Sequence, residues 1–169
     1  MYYSGYNNDY SDIKTEEGKS LSYISPDSPY YEKIKKNHIL KRSIDSSKTW
    51  ELIYEDRGDV YSSLDLVIDP NNPDILFIAG PNGLKESLDK GDSWINILDE
   101  PCREIYISKS NNYFVLTDNN LNISHDSGKT WKRNILKNSK DYGRFRTMKV
   151  VEDGVIIYII TNKGILKIR

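Results

Sequence analysis

The chain has 169 residues, with 24 Lys+Arg against 25 Asp+Glu and a formal net charge of −1. That length makes one domain the default, and the charge balance gives no overall field toward nucleic acid or an anionic membrane. One cysteine, Cys102, excludes an internal disulfide and a cysteine zinc cluster, and no apolar run approaches the ~18 residues of a membrane-spanning helix.

The chain opens on MYYSGYNNDYSD, which lacks the basic-then-apolar order of a signal peptide. Residues 1–17 carry Tyr2, Tyr3, Tyr6 and Tyr10 and read as an N-terminal tail or a closing strand. Residues 18–169 read as a set of internal repeats, the feature to seek first. A shift of 44 residues lays "YISPDSPYYEKIKKNHILKRSIDSSKTW" (from Tyr23) on "VIDPNNPDILFIAGPNGLKESLDKGDSW" (from Val67) without a gap. A third copy, "YISKSNNYFVLTDNNLNISHDSGKTW", needs a deletion of about two residues in its first turn. A fourth, "KVVEDGVIIYIITNKGILKIR", follows the same course up to the serine slot.

Each full copy ends on an eight-residue box, Ser-x-Asp-x-x-x-(Thr/Ser)-Trp. The boxes are Ser43 to Trp50, Ser87 to Trp94 and Ser124 to Trp131, and they hold all three tryptophans of the chain. The chemistry suits a hairpin. The Asp carboxylate accepts backbone N–H groups of the turn, and the Ser and Thr hydroxyls close it from both ends. Gly91 and Gly128 stand where a positive φ costs little. Ser47 replaces that glycine in the first box, at about 1–2 kcal/mol if left-handed. The Trp then starts a strand and folds back into the gap between neighbouring sheets.

Between the boxes the pattern is β. "LDLVIDP" and "EIYIS" alternate, while "ILFIAG", "YFVLT" and "VIIYIIT" are continuous apolar runs of strand length, with Asn, Pro, Gly and Asp between them. Each copy therefore predicts strand 1, turn, strand 2, turn, strand 3, box, strand 4. Such a unit buries both faces only by stacking on its neighbours, and radial stacking of four-stranded sheets is a β-propeller. The expected fold is all-β, a propeller of about four antiparallel blades. It is either closed by the N-terminal strand or partial, in which case the chain is a fragment or assembles with another copy. Closure predicts that residues 2–6 pair with "GILKIR" (Gly164 to Arg169).

The boxes resemble those of the Asp-box (bacterial neuraminidase repeat) propellers, whose members include sialidases, xyloglucanases, sortilin-type receptors and photosystem assembly factors. "DPNNPDILFIAG" (Asp69 to Gly80) looks like the segment before the box in xyloglucan-degrading members. The resemblance covers about residues 20–169 and implies a scaffolding role for Ser43, Asp45, Thr49, Trp50, Ser87, Asp89, Gly91, Ser93, Trp94, Ser124, Asp126, Gly128, Thr130 and Trp131. Fold motifs do not carry function.

Boxes and 1–2 turns are expected on one face, and the 4-to-1 and 2-to-3 loops on the other. The 4-to-1 loops, 54–63, 99–103 and 137–144, each hold one arginine: Arg57, Arg103 and Arg144. With Tyr142 and Asp59 they are the candidate ligand-binding residues, since arginine grips a carboxylate bidentately. The resemblance implies an arginine cluster of this kind in sialidases, with a Tyr–Glu nucleophile pair and an Asp acid. The early Arg-Ile-Pro motif of that group is absent here. A basic run from Lys132 to Lys149 adds a candidate anion patch. His38 is placed in a 2-to-3 turn and His125 in a box turn. Neither has nucleophile-motif or metal-ligand spacing, and no catalytic residue, metal or cofactor is assigned. The leading expectation is a non-catalytic binding or assembly module for a protein or glycan, with no nucleic acid or membrane partner and the compartment undetermined. A glycoside hydrolase of sialidase or xyloglucanase type is the alternative.

Overall fold

The computed structural model describes residues 1–7, 36–58, 64–118, 120–135, 142–151 and 156–169. It divides into two compact units, Met1–Ser62 and Ser63–Arg169. The first is one antiparallel sheet of β1 (Tyr2–Asn7), β2 (Lys36–Arg42) and β3 (Glu51–Gly58), in the order β1-β2-β3.

The second unit holds three antiparallel sheets in succession. Strands β4 (Asp65–Ile68), β5 (Leu76–Gly80), β6 (Gly83–Ser87) and β7 (Ile95–Leu98) form one. Strands β8 (Cys102–Ile107), β9 (Tyr113–Thr117), β10 (Asn120–Ser124) and β11 (Lys132–Ile135) form the next. Strands β12 (Phe145–Val151), β13 (Ile156–Thr161) and β14 (Ile165–Ile168) form the last. Each sheet runs in chain order, as the repeat predicts. The fold is all-β and propeller-like, built of blade-type sheets.

Two of the three continuous apolar runs become β5 and β9, in which every residue is buried, while the third becomes β13, whose burial alternates. Full burial is what coverage on both faces requires. Successive residues of a strand point to opposite faces, so β9 serves two cores. Tyr113 and Val115 join Phe77, Ala79, Leu84, Cys102, Ile105 and Ile107 between the first two sheets of this unit. Phe114 and Leu116 join Leu121, Phe145, Met148, Ile157 and Ile159 between the second and third. Phe77 meets Tyr113 edge to face, with ring centroids 5.1 Å apart.

Two carboxylates brace these sheets at their first strands. Asp65 Oδ2 on β4 accepts the backbone N–H of Ile105 on β8 at 3.0 Å. Glu104 Oε2 on β8 accepts the Met148 N–H on β12 at 2.7 Å and the Thr147 hydroxyl at 2.8 Å. Register makes Asp65, Glu104 and Thr147 equivalent, opposite Ala79, Leu116 and Ile160. The carboxylate device thus appears twice and gives way to a threonine in the last sheet.

Two expectations are corrected. The N-terminal strand pairs with β2, from Tyr2↔Arg42 to Asn7↔Asn37, and not with Gly164 to Arg169. The ladder continues at its end, where Ser43 N–H donates to Met1 O at 2.8 Å and the terminal ammonium to Ser43 O at 2.9 Å. Its physical reason lies in β2, whose apolar Ile39 and Leu40 are buried on both faces of a strand that needs a ladder partner on each side. His38 lies inside β2 and is buried, rather than in a turn. The boundary at residues 17 and 18 and the first two strands of the first copy lie outside the described residues.

Candidate functional site

The boxes are self-contained hairpins with one hydrogen-bond plan. The serine Oγ accepts the N–H four residues on, from Ser47 at 2.8 Å, Gly91 at 2.7 Å and Gly128 at 2.9 Å. The same hydroxyl donates to the Asp Oδ1 of its box at 3.0, 2.8 and 2.7 Å. That Oδ1 also accepts the N–H of Thr49, Ser93 and Thr130 at 2.9, 2.8 and 2.8 Å. Oδ2 takes the hydroxyl of the same residue at 2.7, 2.6 and 2.6 Å. These donors, the Thr or Ser hydroxyl foremost, hold Asp45, Asp89 and Asp126 at a pKa of about 2.

Two successive residues of each turn are left-handed: Ser46 and Ser47 (φ 59° and 68°), Lys90 and Gly91 (63° and 102°), Ser127 and Gly128 (56° and 81°). Ser47 takes the conformation expected to cost it most. The first member of each pair was not anticipated; no glycine marks it.

The third tryptophan does what its place after a turn implies. Trp131 Nε1 donates to Ile97 O on β7 of the preceding sheet at 3.1 Å, and the indole packs against the core there, 6.5 Å from the Tyr113 ring. Burial pushes the Tyr113 phenol up to about 12, with the Glu86 and Asp69 charges adding to it. Gly128 lies in the same seam. A Cβ there would stand 3.3 Å from both Ile97 Cδ1 and Tyr113 Cε2.

Within the second unit the boxes and 1–2 turns share a face and are tied together. Lys90 N–H donates to Asp74 O at 2.8 Å, and its ammonium stands 3.2 Å from the Asp74 carboxylate. His125 Nδ1 meets Asn112 Oδ1 at 2.9 Å. Asn71 Nδ2 bridges to Lys109 O at 3.2 Å and Asn111 Oδ1 at 2.8 Å in the next sheet. The polar groups named here are spent on the protein itself.

The candidate ligand residues are placed differently from the loop picture. Arg57 lies within β3, and Asp59 is outside the described residues. Arg103 belongs to β8, not to the loop before it. It is the extra residue of a β-bulge between Cys102 and Glu104, ion-paired with Asp118. Tyr142 and Arg144 are exposed ahead of β12, and the Arg144 N–H donates to Asn162 Oδ1 at 2.8 Å. The bulge recurs in β12, where the residue in the Arg103 slot is Arg146. The repeat offset carried this signal: Arg146 stands 43 residues after Arg103. Of the basic run, Lys132, Arg144, Arg146 and Lys149 are exposed, and Lys137 and Lys140 lie outside the described residues.

The structure gathers one polar cluster the motifs did not announce. Glu100 reaches over the outer strands of its sheet and accepts from Asn122 Nδ2 and from Arg133 Nη2, the latter at 2.5 Å. Asn122 and Arg133 face each other across β10 and β11. The Cys102 thiol donates to Glu100 O at 3.0 Å, and burial, then the Glu100 charge, pushes it up to about 12. Such a thiol is inert. Asp65 is the other perturbed acid. Burial raises its carboxyl and the Glu104 charge adds to this, against the lowering by the Ile105 N–H.

No family model matches the chain, and no curated protein matches it. Among solved structures it is similar to an ancestral GH74 enzyme, with a TM-score of 0.60 and 13% identity. The likeness covers 78% of this chain and 21% of that one, so the chain spans about a fifth of that enzyme's length. At that identity the likeness establishes a propeller-like fold and nothing about activity.

Proposed function

We propose that the chain is a non-catalytic binding or assembly module of Asp-box blades, whose loops opposite the boxes meet a protein or a glycan. The carrying observation is that the box carboxylates are consumed inside their own turns. Asp126 accepts from Ser124 and twice from Thr130, and the 1–2 turns beside the boxes bind one another. This leaves the opposite loops, with exposed Tyr142 and Arg144 and half-buried Arg103, as the surface with groups to offer an anionic ligand. The test is calorimetric titration with polygalacturonate as the acidic glycan probe. Arg103→Glu and Arg144→Glu together should weaken binding at least about tenfold. Equal affinity of parent and double variant moves the site elsewhere.

A glycoside hydrolase is the second reading. It rests on the two carboxyl groups Asp65 and Glu104, the first raised by burial, to which the Glu104 charge adds. Glycosidases use one protonated and one ionised carboxyl group. The backbone N–H groups that both acids accept favour bracing instead. Reducing-sugar release from xyloglucan, lost in both Asp65→Asn and Glu104→Gln, would establish the hydrolase; no release from the parent chain leaves the binding module.

A further inference from the structure

Asparagine is followed by glycine once in the sequence, at Asn82-Gly83. That pair stands at the tip of the β5–β6 hairpin. Gly80 pairs with Gly83, which leaves Pro81 and Asn82 as a two-residue tip. Asn82 is exposed. The strands it joins are not: β5 is buried throughout, and Gly83 and Leu84 at the start of β6 are buried too.

Packing holds the glycine in its place. Gly83 has a φ of 105°, and a Cβ there would collide with Leu98 O on the neighbouring strand β7. Only glycine meets both demands. The residue after Asn82 is therefore fixed as the one whose amide nitrogen no side chain shields. Every other asparagine of the sequence is followed by a residue with a Cβ. The Gly80–Gly83 pair is also the last of its ladder. Ladder ends open at the least cost, and opening lets the Gly83 nitrogen reach the Asn82 carboxamide, with which it closes a five-membered ring.

We infer that Asn82 is a self-modification site, at which attack by the Gly83 nitrogen turns the hairpin tip from neutral to acidic. The Gly83 N–H gives its proton to hydroxide, and the nitrogen forms a bond to Asn82 Cγ. The Cγ–Nδ2 bond breaks, and Nδ2 leaves as ammonia. Nothing is oxidised or reduced. Water then opens the cyclic imide. Opening at Cγ restores the main chain and leaves an aspartyl residue. Opening at the main-chain carbonyl carbon leaves an isoaspartyl link, in which the main chain runs through Cβ and Cγ and is one atom longer. The longer tip no longer matches Gly80 to Gly83, and Gly83 leaves its close approach to Leu98 O. The reaction needs only this chain and water, so it is independent of the proposed binding function.

The test is ageing of the full folded chain at mildly alkaline pH, with peptide mapping by mass spectrometry at intervals. The amide-to-acid mass change should accumulate at Asn82 at least about tenfold faster than at any other asparagine, since only there does the attacking nitrogen lack a neighbouring Cβ. Its rate should rise about tenfold per pH unit, as the ionised fraction of a weakly acidic N–H does. Asn82→Gln keeps the carboxamide but requires a six-membered ring, and isoaspartyl groups counted by enzymatic methylation should nearly vanish. Asn82→Asp carries the charge without the added atom. Amide exchange at Leu84 should stay within about threefold of the parent in Asn82→Asp and rise more than about tenfold in the purified isoaspartyl chain. Conversion at Asn82 no faster than at the other asparagines overturns the inference. So does an isoaspartyl count unchanged by Asn82→Gln, or an isoaspartyl chain whose exchange at Leu84 matches that of Asn82→Asp.

Discussion

The first and third boxes share one hydrogen-bond plan and differ in how far the tryptophan is exposed. In both, a serine hydroxyl, an Asp carboxylate and a threonine close two left-handed residues with matched distances. Trp131 donates to the neighbouring sheet and lies against its core, with Gly128 in the same seam. Trp50 is 39% exposed, and a serine holds the glycine slot. The turn is therefore a property of eight consecutive residues, whereas the anchorage of Trp131 is a property of the neighbouring sheet.

The largest expected effect is at Trp131, the more buried of the two rings. Trp131→Ala should lower stability by ~3 kcal/mol, the low end for a core aromatic because the ring is only half-buried. Trp50→Ala should cost less than half of that, and urea unfolding measures both. Equal losses would erase the contrast between the boxes. The sheet brace comes next. Glu104→Ala strips the acceptor from the Met148 N–H and should cost ~1–3 kcal/mol, the price of an unsatisfied buried donor. Retention of parental stability would make the brace incidental.

The glycine slot gives a smaller, two-signed test. Gly128→Ala meets Ile97 and Tyr113 at a φ of 81° and should destabilise by ~1–2 kcal/mol. Ser47→Gly relieves the same strain and should stabilise by up to ~1 kcal/mol, reduced by the greater freedom glycine adds to the unfolded chain. The result that breaks this is a Ser47→Gly chain no more stable than its parent.

Acid should affect all three boxes alike. Their Asp pKa values are depressed from 3.8 to about 2, so the stabilisation from ionised Asp45, Asp89 and Asp126 is complete above pH 3.8 and lost as pH falls toward 2. Thermal melts across that window should show a decline that Asp126→Asn makes shallower. A decline centred at neutral pH would contradict it. The smallest effect belongs to exposed Arg144, whose change to Glu should move stability by less than ~0.5 kcal/mol.

Sequence legibility follows the same division between local and neighbouring structure. The boxes, the strand runs and the 4-strand order of β4–β7 and β8–β11 are local or periodic, and a slide of the chain on itself exposes them. The pairing of β1 with β2 joins residues 30 to 40 apart in sequence, from Asn7↔Asn37 to Tyr2↔Arg42, and nothing in "YYSGYN" names its partner. The bulge that puts Arg103 and Arg146 in one slot is a register shift that alternation alone does not reveal. Asp65 and Glu104 read as polar strand positions until the next sheet's N–H groups are in place. Arg144 stands out in the sequence because it lies in a loop, whereas the register position equivalent to Arg103 belongs to Arg146.

Amide hydrogen exchange on the parent chain and Trp131→Ala tests most directly whether the turn stands alone while its tryptophan joins the sheets. The account predicts that Gly128 and Thr130, held by Ser124 and Asp126 inside the box, keep their protection within about threefold, while amides of Ile95–Leu98 on β7 exchange more than about tenfold faster. Loss of protection in the box amides together with those of β7, or unchanged protection of β7, would contradict it.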